Sequence, residues 1–401
     1  MHLHLDRWAA EIAGLPWHLP LVDWPEDILV GLPRGISRHV VRFVRPAGTV
    51  VAVKETTDAL AHEEYETLSS LTNLAAPTVE PLGYVTGRRG ADGSPLPGAL
   101  LTPHLQYSLP YRALFSRHLA RDTALRLVDA LAVLLVRLHL AGFYWGDVSL
   151  SNALFRRDAD SFAAYLVDAE TGELHYELSD GQRDHDLELA RVNIAGDFLD
   201  LQAGGLVDDS VDPLAVSDRL KSRYTALWTE ITRAEEFDID ERWRIDDKIR
   251  RLNDLGFDLG EFSLTTDLDG ITLRVAPKVV EPGHHSRRLR RLTGIRAEEN
   301  QARRLLNDID AFHVQRPALA ETEAADRWQA TVYRPVLDEI PPELAGRLEA
   351  PQIFHEFLDH RWFLAEEAGA DVSQRQAVRS YVDTVLSHRR AEREAFVPPP
   401  G

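Results

Sequence analysis

Asp147 and Asn152 stand five residues apart in "GFYWGDVSLSNALF", a loop between an apolar helical stretch and a second apolar segment. An acid and an amide set this way suit phosphoryl transfer. The carboxylate can accept the proton of an attacking hydroxyl, and the amide oxygen can ligate a magnesium ion. The same two residues also read as a turn acid and a cap. The spacing alone recurs by chance, so its surroundings must decide.

The composition bounds the reading. The chain has 401 residues, 44% apolar and 27% charged, which is the make-up of a globular protein with two or three domains. No stretch approaches the twenty apolar residues of a membrane span, and the N-terminus lacks a signal-peptide core. The absence of cysteine excludes disulfides and thiolate chemistry and fits a reducing, cytoplasmic setting. A formal charge of −19 argues against broad nucleic-acid binding, which needs a positive surface. Of 45 basic residues only four are lysines (Lys54, Lys221, Lys248 and Lys278), so a lysine in a special place is there for its chemistry.

The elements that must position the loop follow from periodicity. Residues 1–24 read as an amphipathic helix followed by a Pro-bounded loop. Apolar runs at 28–30, 40–44 and 50–53 read as strands separated by Gly and Pro turns. "AHEEYETLSSLTNL" reads as a helix with leucines at 68, 71 and 74, and "VEPLGYVTG" and "GALLTPHLQY" supply further strands. A buried helix covers 122–141, and another runs from His185 to Gly204-Gly205. Beyond it, 213–256 reads as charged helix, then a hairpin turning at Asp269-Gly270, a basic helix at 284–292 and a helix at 297–312. The remainder to about 395 is helical.

The pattern Leu138-His139-x-x-Gly142-x-x-x-Gly146-Asp147-x-x-x-x-Asn152 resembles the catalytic loop of the protein-kinase superfamily. The match is nearest to the aminoglycoside-phosphotransferase and lipopolysaccharide-kinase branches. The resemblance implies further parts. Lys54 in the strand "VVAVKE" would hold the α- and β-phosphates of ATP. Glu64 on the following helix would pair with it, with Glu63 and Glu66 competing for that place. Asp168 in "AYLVDAETG", twenty-one residues after Asp147, would join Asn152 in binding Mg²⁺. Asp186 in Gly181-x-x-x-x-Asp186-Leu187 would hydrogen-bond the catalytic loop, and His139 would bond within it. Gly31 and Gly35 serve either as hairpin glycines or as a phosphate cradle, and backbone from Pro103 to Gln106, Leu105 included, would meet the adenine.

The departures are informative too. Trp145 replaces the usual His or Tyr, no Arg precedes Asp147, and "DAE" stands for D-F-G. Only about 18 residues separate Asp168 from Asp186, which favours a non-peptide acceptor.

The implied fold is α+β: a two-lobed kinase-like unit followed by a mostly helical α+β domain. Its parts are an N-terminal helical extension at 1–24, a smaller lobe at 25–106, a larger lobe at 107–205 and a C-terminal domain at 206–395. The stretches "RVNIAGDFLDLQAGG" and "PGHHSRRLRRLTGI" make the whole chain similar to an actinobacterial family. That family joins a lipopolysaccharide-kinase-like module to a C-terminal domain of unknown function (domain of unknown function 4032).

The expected activity is ATP- and Mg²⁺-dependent transfer to a hydroxyl on a small molecule, glycan or lipid-linked acceptor, with Asp147 as base. Two readings of other classes stand beside it. One is a silent nucleotide-binding regulator. The other is an anionic or nucleic-acid partner held by the Arg-rich 284–304 segment through Arg287 and Arg291. His284-His285 lacks a third ligand at metal spacing. Trp228, Trp243, Trp328 and Trp362 read as core anchors.

Overall fold

A computed structural model describes residues 1–32, 38–114, 121–233, 235–238, 243–266 and 272–393. The chain is mixed α and β with antiparallel sheets, and it divides into two units. One comprises residues 1–156 and 164–223, the other 157–163 and 224–393.

The first unit begins with β1 (His2–Leu5) and α1 (Ala9–Ala13). Next come β2 (Val41–Val44), β3 (Val51–Thr56), α2 (Asp58–Asn73), β4 (Gly83–Thr86) and β5 (Gly98–Pro103). The strands form one antiparallel sheet in the order β1-β4-β5-β3-β2. Period-two alternation sends Val51 and Val53 of β3, Val85 of β4, and Ala99 and Leu101 of β5 to one face. There they meet Ile12, Trp17, Leu21 and Trp24.

This corrects the reading of 1–24 as a helical extension. Only Ala9–Ala13 is α-helical, and His2–Leu5 pairs with β4 as an edge strand, because "HLHL" alternates with the period of a strand. Residues 28–30 are likewise not a strand. A 3₁₀ turn covers Glu26–Ile28, and Leu29 makes a single bridge to Val44.

Arg88, 1% exposed, ties this N-terminal segment down. It donates to the carbonyls of Trp17 (3.2 Å), Pro97 (2.8 Å) and Leu19, and to Glu55 Oε1 (2.9 Å).

Further along are β6 (Ser108–Pro110), α3 (Tyr111–Leu114), α4 (Arg121–Leu140), β7 (Phe143–Tyr144), β8 (Ala153–Asp158), β9 (Ser161–Leu166) and β10 (Glu173–Leu174). Then follow α5 (Asp180–Ala203) and α6 (Pro213–Thr232). α4 is buried on most sides, with Leu127, Val128, Leu131, Leu134, Leu135 and Leu138 at 0–1% exposure. α5 starts earlier than its apolar pattern suggests, because Ser179 and Gln182 form a reciprocal capping box.

The second unit contains β11 (Glu235–Asp238), α7 (Trp243–Asp254), β12 (Phe257–Thr266) and β13 (Thr272–Pro282), with strand order β11-β13-β12. Its helices are α8 (His284–Thr293), α9 (Glu299–Val314), α10 (Glu321–Trp328), α11 (Arg334–Asp338), α12 (Ala350–Ala368) and α13 (Gln374–Thr384). β11 interrupts what read as continuous helix over 213–256, and the Asp269-Gly270 turn lies outside the described residues.

Leu289, Leu305, Trp328, Tyr333, Phe354 and Tyr381 fill the core, with Trp328 Nε1 donating to Asp308. Trp362 is 65% exposed and is no core anchor. Ile353, Phe354 and Phe357 take the buried face of α12, and Trp362 falls off it. Trp228 is half-buried, and the Trp243 side chain lies outside the description. Among the described residues no helix is long and apolar enough to cross a membrane.

Replacing Arg88 by Met would strand Glu55 and three carbonyls without their donor. Such losses of one buried partner cost about 3–5 kcal/mol. Denaturant unfolding followed by circular dichroism should show a loss of that order, and a change below about 1 kcal/mol would contradict this account of the N-terminal segment.

Candidate functional site

The loop after α4 is held from below. Gly142 has φ +79°, and a Cβ there would meet the His175 carbonyl at 2.2 Å, so only glycine fits. Trp145 is fully buried. Asp186, also fully buried on α5, accepts hydrogen bonds from the backbone N–H of Trp145 (2.8 Å) and Gly146 (2.9 Å). It lies 3.1 Å from His139 Nε2. Burial holds the His139 pKa below the ordinary histidine value despite that carboxylate, which favours a neutral, structural imidazole. Thr171 closes the loop by donating to the Trp145 carbonyl at 3.0 Å.

This frame fixes Asp147. Asn152 Nδ2 donates to the Asp147 carbonyl (2.9 Å) and to Asp147 Oδ2 (3.0 Å), so Asn152 Oδ1 is the atom left for a cation. Asn193 Nδ2 donates to Asp147 Oδ1 and to the Val148 carbonyl, both at 3.2 Å. Arg38 Nη2 lies 3.4 Å from Asp147 Oδ2. Four residues beyond Asn193, Asp197 accepts from the Leu150 N–H at 2.8 Å. Burial pushes its pKa up to about 6, opposed by that N–H and supported by Asp200.

Lys54 sits on β3 facing away from the valine core. Its Nζ is 3.0 Å from Glu64 Oε2, 3.0 Å from Asp168 Oδ1 and 3.2 Å from Glu170 Oε2. α2, capped by Thr57, buries Ala61, Glu64, Tyr65, Leu68 and Leu71 on one face, so Glu64 points inward while Glu63 and Glu66 are exposed. Glu64 also accepts from the Ala169 N–H at 3.2 Å.

Burial pushes the Glu64 pKa up, aided by Asp168 and opposed by Lys54. The Lys54 pKa is raised, because the charges of Glu64, Asp168 and Glu170 outweigh burial. Glu170 is held below its ordinary value despite burial, by Lys54 and by His39, whose Nε2 is 2.8 Å away. The acidic oxygens of Glu64, Asp168 and Glu170 lie within 4.8 Å of one another, a donor set able to take a metal ion.

A cleft of about 440 Å³ opens beside this cluster. Lys54, Asn152 and Asp168 line it, together with the apolar Val41, Ala52, Leu154 and Val167. Pro103 and Leu105 also line it. Gly31 is exposed and does not line the cleft, and Gly35 lies outside the described residues.

Glu170, Asn193, His39 and Arg38 were not anticipated as site residues. Asn193 had a signal: it follows Asp186 by seven residues, two helical turns along the same face of α5.

On the second unit, Arg287 and Arg291 are both exposed on α8. Arg287 lies 3.6 Å from Glu281 and donates to the Pro282 carbonyl, and neighbouring Arg288 pairs with Asp310 and Glu321. The Arg-rich face is thus partly neutralised by its own acids.

Residues 226–386 match the model of a family described as Domain of unknown function (DUF4032). No curated protein matches the chain. The matched segment contains none of the residues around Lys54 and Asp147.

Asp197 offers a pH test of the loop. Its folded pKa lies above the unfolded carboxylate value, so between about pH 4 and 6 the folded state holds a proton that the unfolded state has released. This contribution therefore falls as pH rises through that window and stays lost above it. Asp197→Asn keeps an acceptor for Leu150 and removes the titration. The stability difference between variant and parent should grow by up to roughly 3 kcal/mol from pH 4 to 6. A difference independent of pH, measured by denaturant unfolding, would contradict the assignment.

Proposed function

We propose that the first unit is a two-lobed, protein-kinase-like phosphotransferase that uses MgATP to phosphorylate a hydroxyl on a small molecule, glycan or lipid-linked acceptor. The observation that carries this reading is convergence. Lys54 from a strand, Asn152 from one loop and Asp168 from another line a single cleft, with Glu64 on a helix paired to Lys54 and Asp147 hydrogen-bonded by Asn152. Each also follows from residue order along the chain.

The residues fit both groups they would have to hold. Apolar Val41, Ala52, Leu154 and Val167 suit a flat base, with backbone near Pro103–Leu105 to meet its edge. Lys54 would neutralise phosphate oxygens, and Glu64, itself anchored by Ala169, keeps the ammonium in place. Asp168 and Asn152 would hold the metal through oxygen atoms, with Glu170 near enough to join them. Bound Mg²⁺ supplies charge neutralisation between these carboxylates and the phosphates.

Asp147 would accept the proton of the acceptor hydroxyl. Its carboxylate is oriented by Asn152 and Asn193, which donate to different oxygens and so fix its plane.

One observation favours the regulator reading. Lys54 is engaged by three carboxylates together, and both Asp147 oxygens are already hydrogen-bonded. A site with these contacts could bind nucleotide without turning it over.

Two substitutions separate these readings. Asp147→Ala removes the base and leaves the metal contacts alone. Turnover should fall about 10²- to 10⁴-fold with nucleotide affinity nearly unchanged. Asp168→Ala removes a charged metal ligand and should weaken Mg²⁺-dependent nucleotide binding as well. Calorimetry with MgATP beside an ATP-consumption assay reads both. A regulator would bind, respond to Asp168→Ala and show no turnover. If neither variant alters binding or hydrolysis, both readings fail.

A further inference from the structure

The geometry points to a second cation site, on the C-terminal unit, in which Asp160, His355 and Asp359 bind a divalent first-row transition ion of the Zn²⁺ class. Asp160 lies in the turn between β8 and β9, in the 157–163 segment that belongs to this unit, and His355 and Asp359 lie on α12. His355 Nε2 is 3.5 Å from Asp160 Oδ1 and 3.3 Å from Asp359 Oδ2, and the three ligand atoms lie within 4.8 Å of one another. Bonds of about 2.0–2.2 Å from zinc to imidazole and carboxylate put neighbouring tetrahedral ligands about 3.3–3.5 Å apart. His355 and Asp359 are four residues apart, the spacing that sets two ligands side by side on a helix.

The imidazole is the second observation. His355 is 3% exposed, and its buried Nδ1 has no hydrogen-bond partner. A histidine used structurally normally returns its burial cost through hydrogen bonds, as His139 does with Asp186. Here Nε2 faces two carboxylates at 3.5 and 3.3 Å, too long for good hydrogen bonds, and an ion held among the three would replace these long contacts with coordinate bonds at Nε2.

The surroundings brace the ligands. Gln352, one turn before His355, accepts from the Ala159 N–H (3.1 Å) and donates to the Ala159 carbonyl (3.2 Å), fixing the backbone next to Asp160. Arg304 donates to Asp359 Oδ1 at 2.8 Å and leaves Oδ2 turned to His355. An imidazole with two carboxylates favours zinc and its neighbours over Mg²⁺ or Ca²⁺, which prefer all-oxygen shells. Three protein ligands leave a fourth position for water. Bound metal would pin the 159–160 turn to α12.

The test titrates the full chain with Zn²⁺ against a chromophoric chelator, in excess Mg²⁺ to occupy the carboxylates near Lys54. The expected result is one Zn²⁺ per chain, with Kd raised at least about tenfold by Asp160→Asn and by His355→Gln and unchanged by Asp168→Asn. Asp160 is 82% exposed at its side chain, so Asp160→Asn keeps the fold even if the buried His355 cannot be replaced. Undiminished Zn²⁺ affinity in Asp160→Asn would overturn the proposal. So would the absence of any Zn²⁺ binding beyond that removed by Asp168→Asn. Neither outcome bears on the proposed phosphotransfer site.

Discussion

Three carboxylates share one ammonium at Lys54, and that imbalance organises the first unit. Glu64, Asp168 and Glu170 all lie within 3.2 Å of Nζ. Lys54 can neutralise one of them, and His39 meets Glu170. The cluster remains rich in negative charge in a half-buried place, where such charge is costly. A bound cation would relieve that cost. The raised pKa of Glu64 expresses the same crowding without one, since a proton is the other way to remove a charge.

The surrounding elements hold this crowding in place. β3 carries Lys54 on the face opposite its valines, α2 delivers Glu64 from a buried stripe, and the Ala169 N–H ties Glu64 to the loop bearing the other two acids. Asp186 does the corresponding work for the neighbouring loop, satisfying two backbone N–H groups that would otherwise be buried without partners. Asp147 and Asn152 are thereby presented beside the cleft.

Much of this was legible in the sequence, because it rested on order and period. Lys54 stood out as a rare lysine ending an alternating run. Glu64 fell on the apolar stripe set by Leu68 and Leu71, which also explains why Glu63 and Glu66 face solvent. What escaped notice depended on tertiary contact. The strand at His2–Leu5 is too short to announce itself and exists because β4 offers it an edge. Trp362 looked like an anchor because tryptophans usually are, yet the face of α12 was already taken by Phe354 and Phe357. Asn193 lay within a stretch already singled out, but only its two-turn spacing from Asp186 tied it to the loop. The Asp160–His355–Asp359 group joins residues almost two hundred positions apart and left no local trace.

In the proposed site, the cleft beside Lys54 would hold a metal–triphosphate through Asn152 and Asp168. Crystals grown with a non-hydrolysable ATP analogue and Mn²⁺ test it most directly, because anomalous scattering locates the ion without interpretation of the ligand. Mn²⁺ is expected about 2.1–2.2 Å from Asn152 Oδ1 and an Asp168 oxygen, with Lys54 on a phosphate. Nucleotide bound elsewhere, or an ion that touches neither residue, would contradict it.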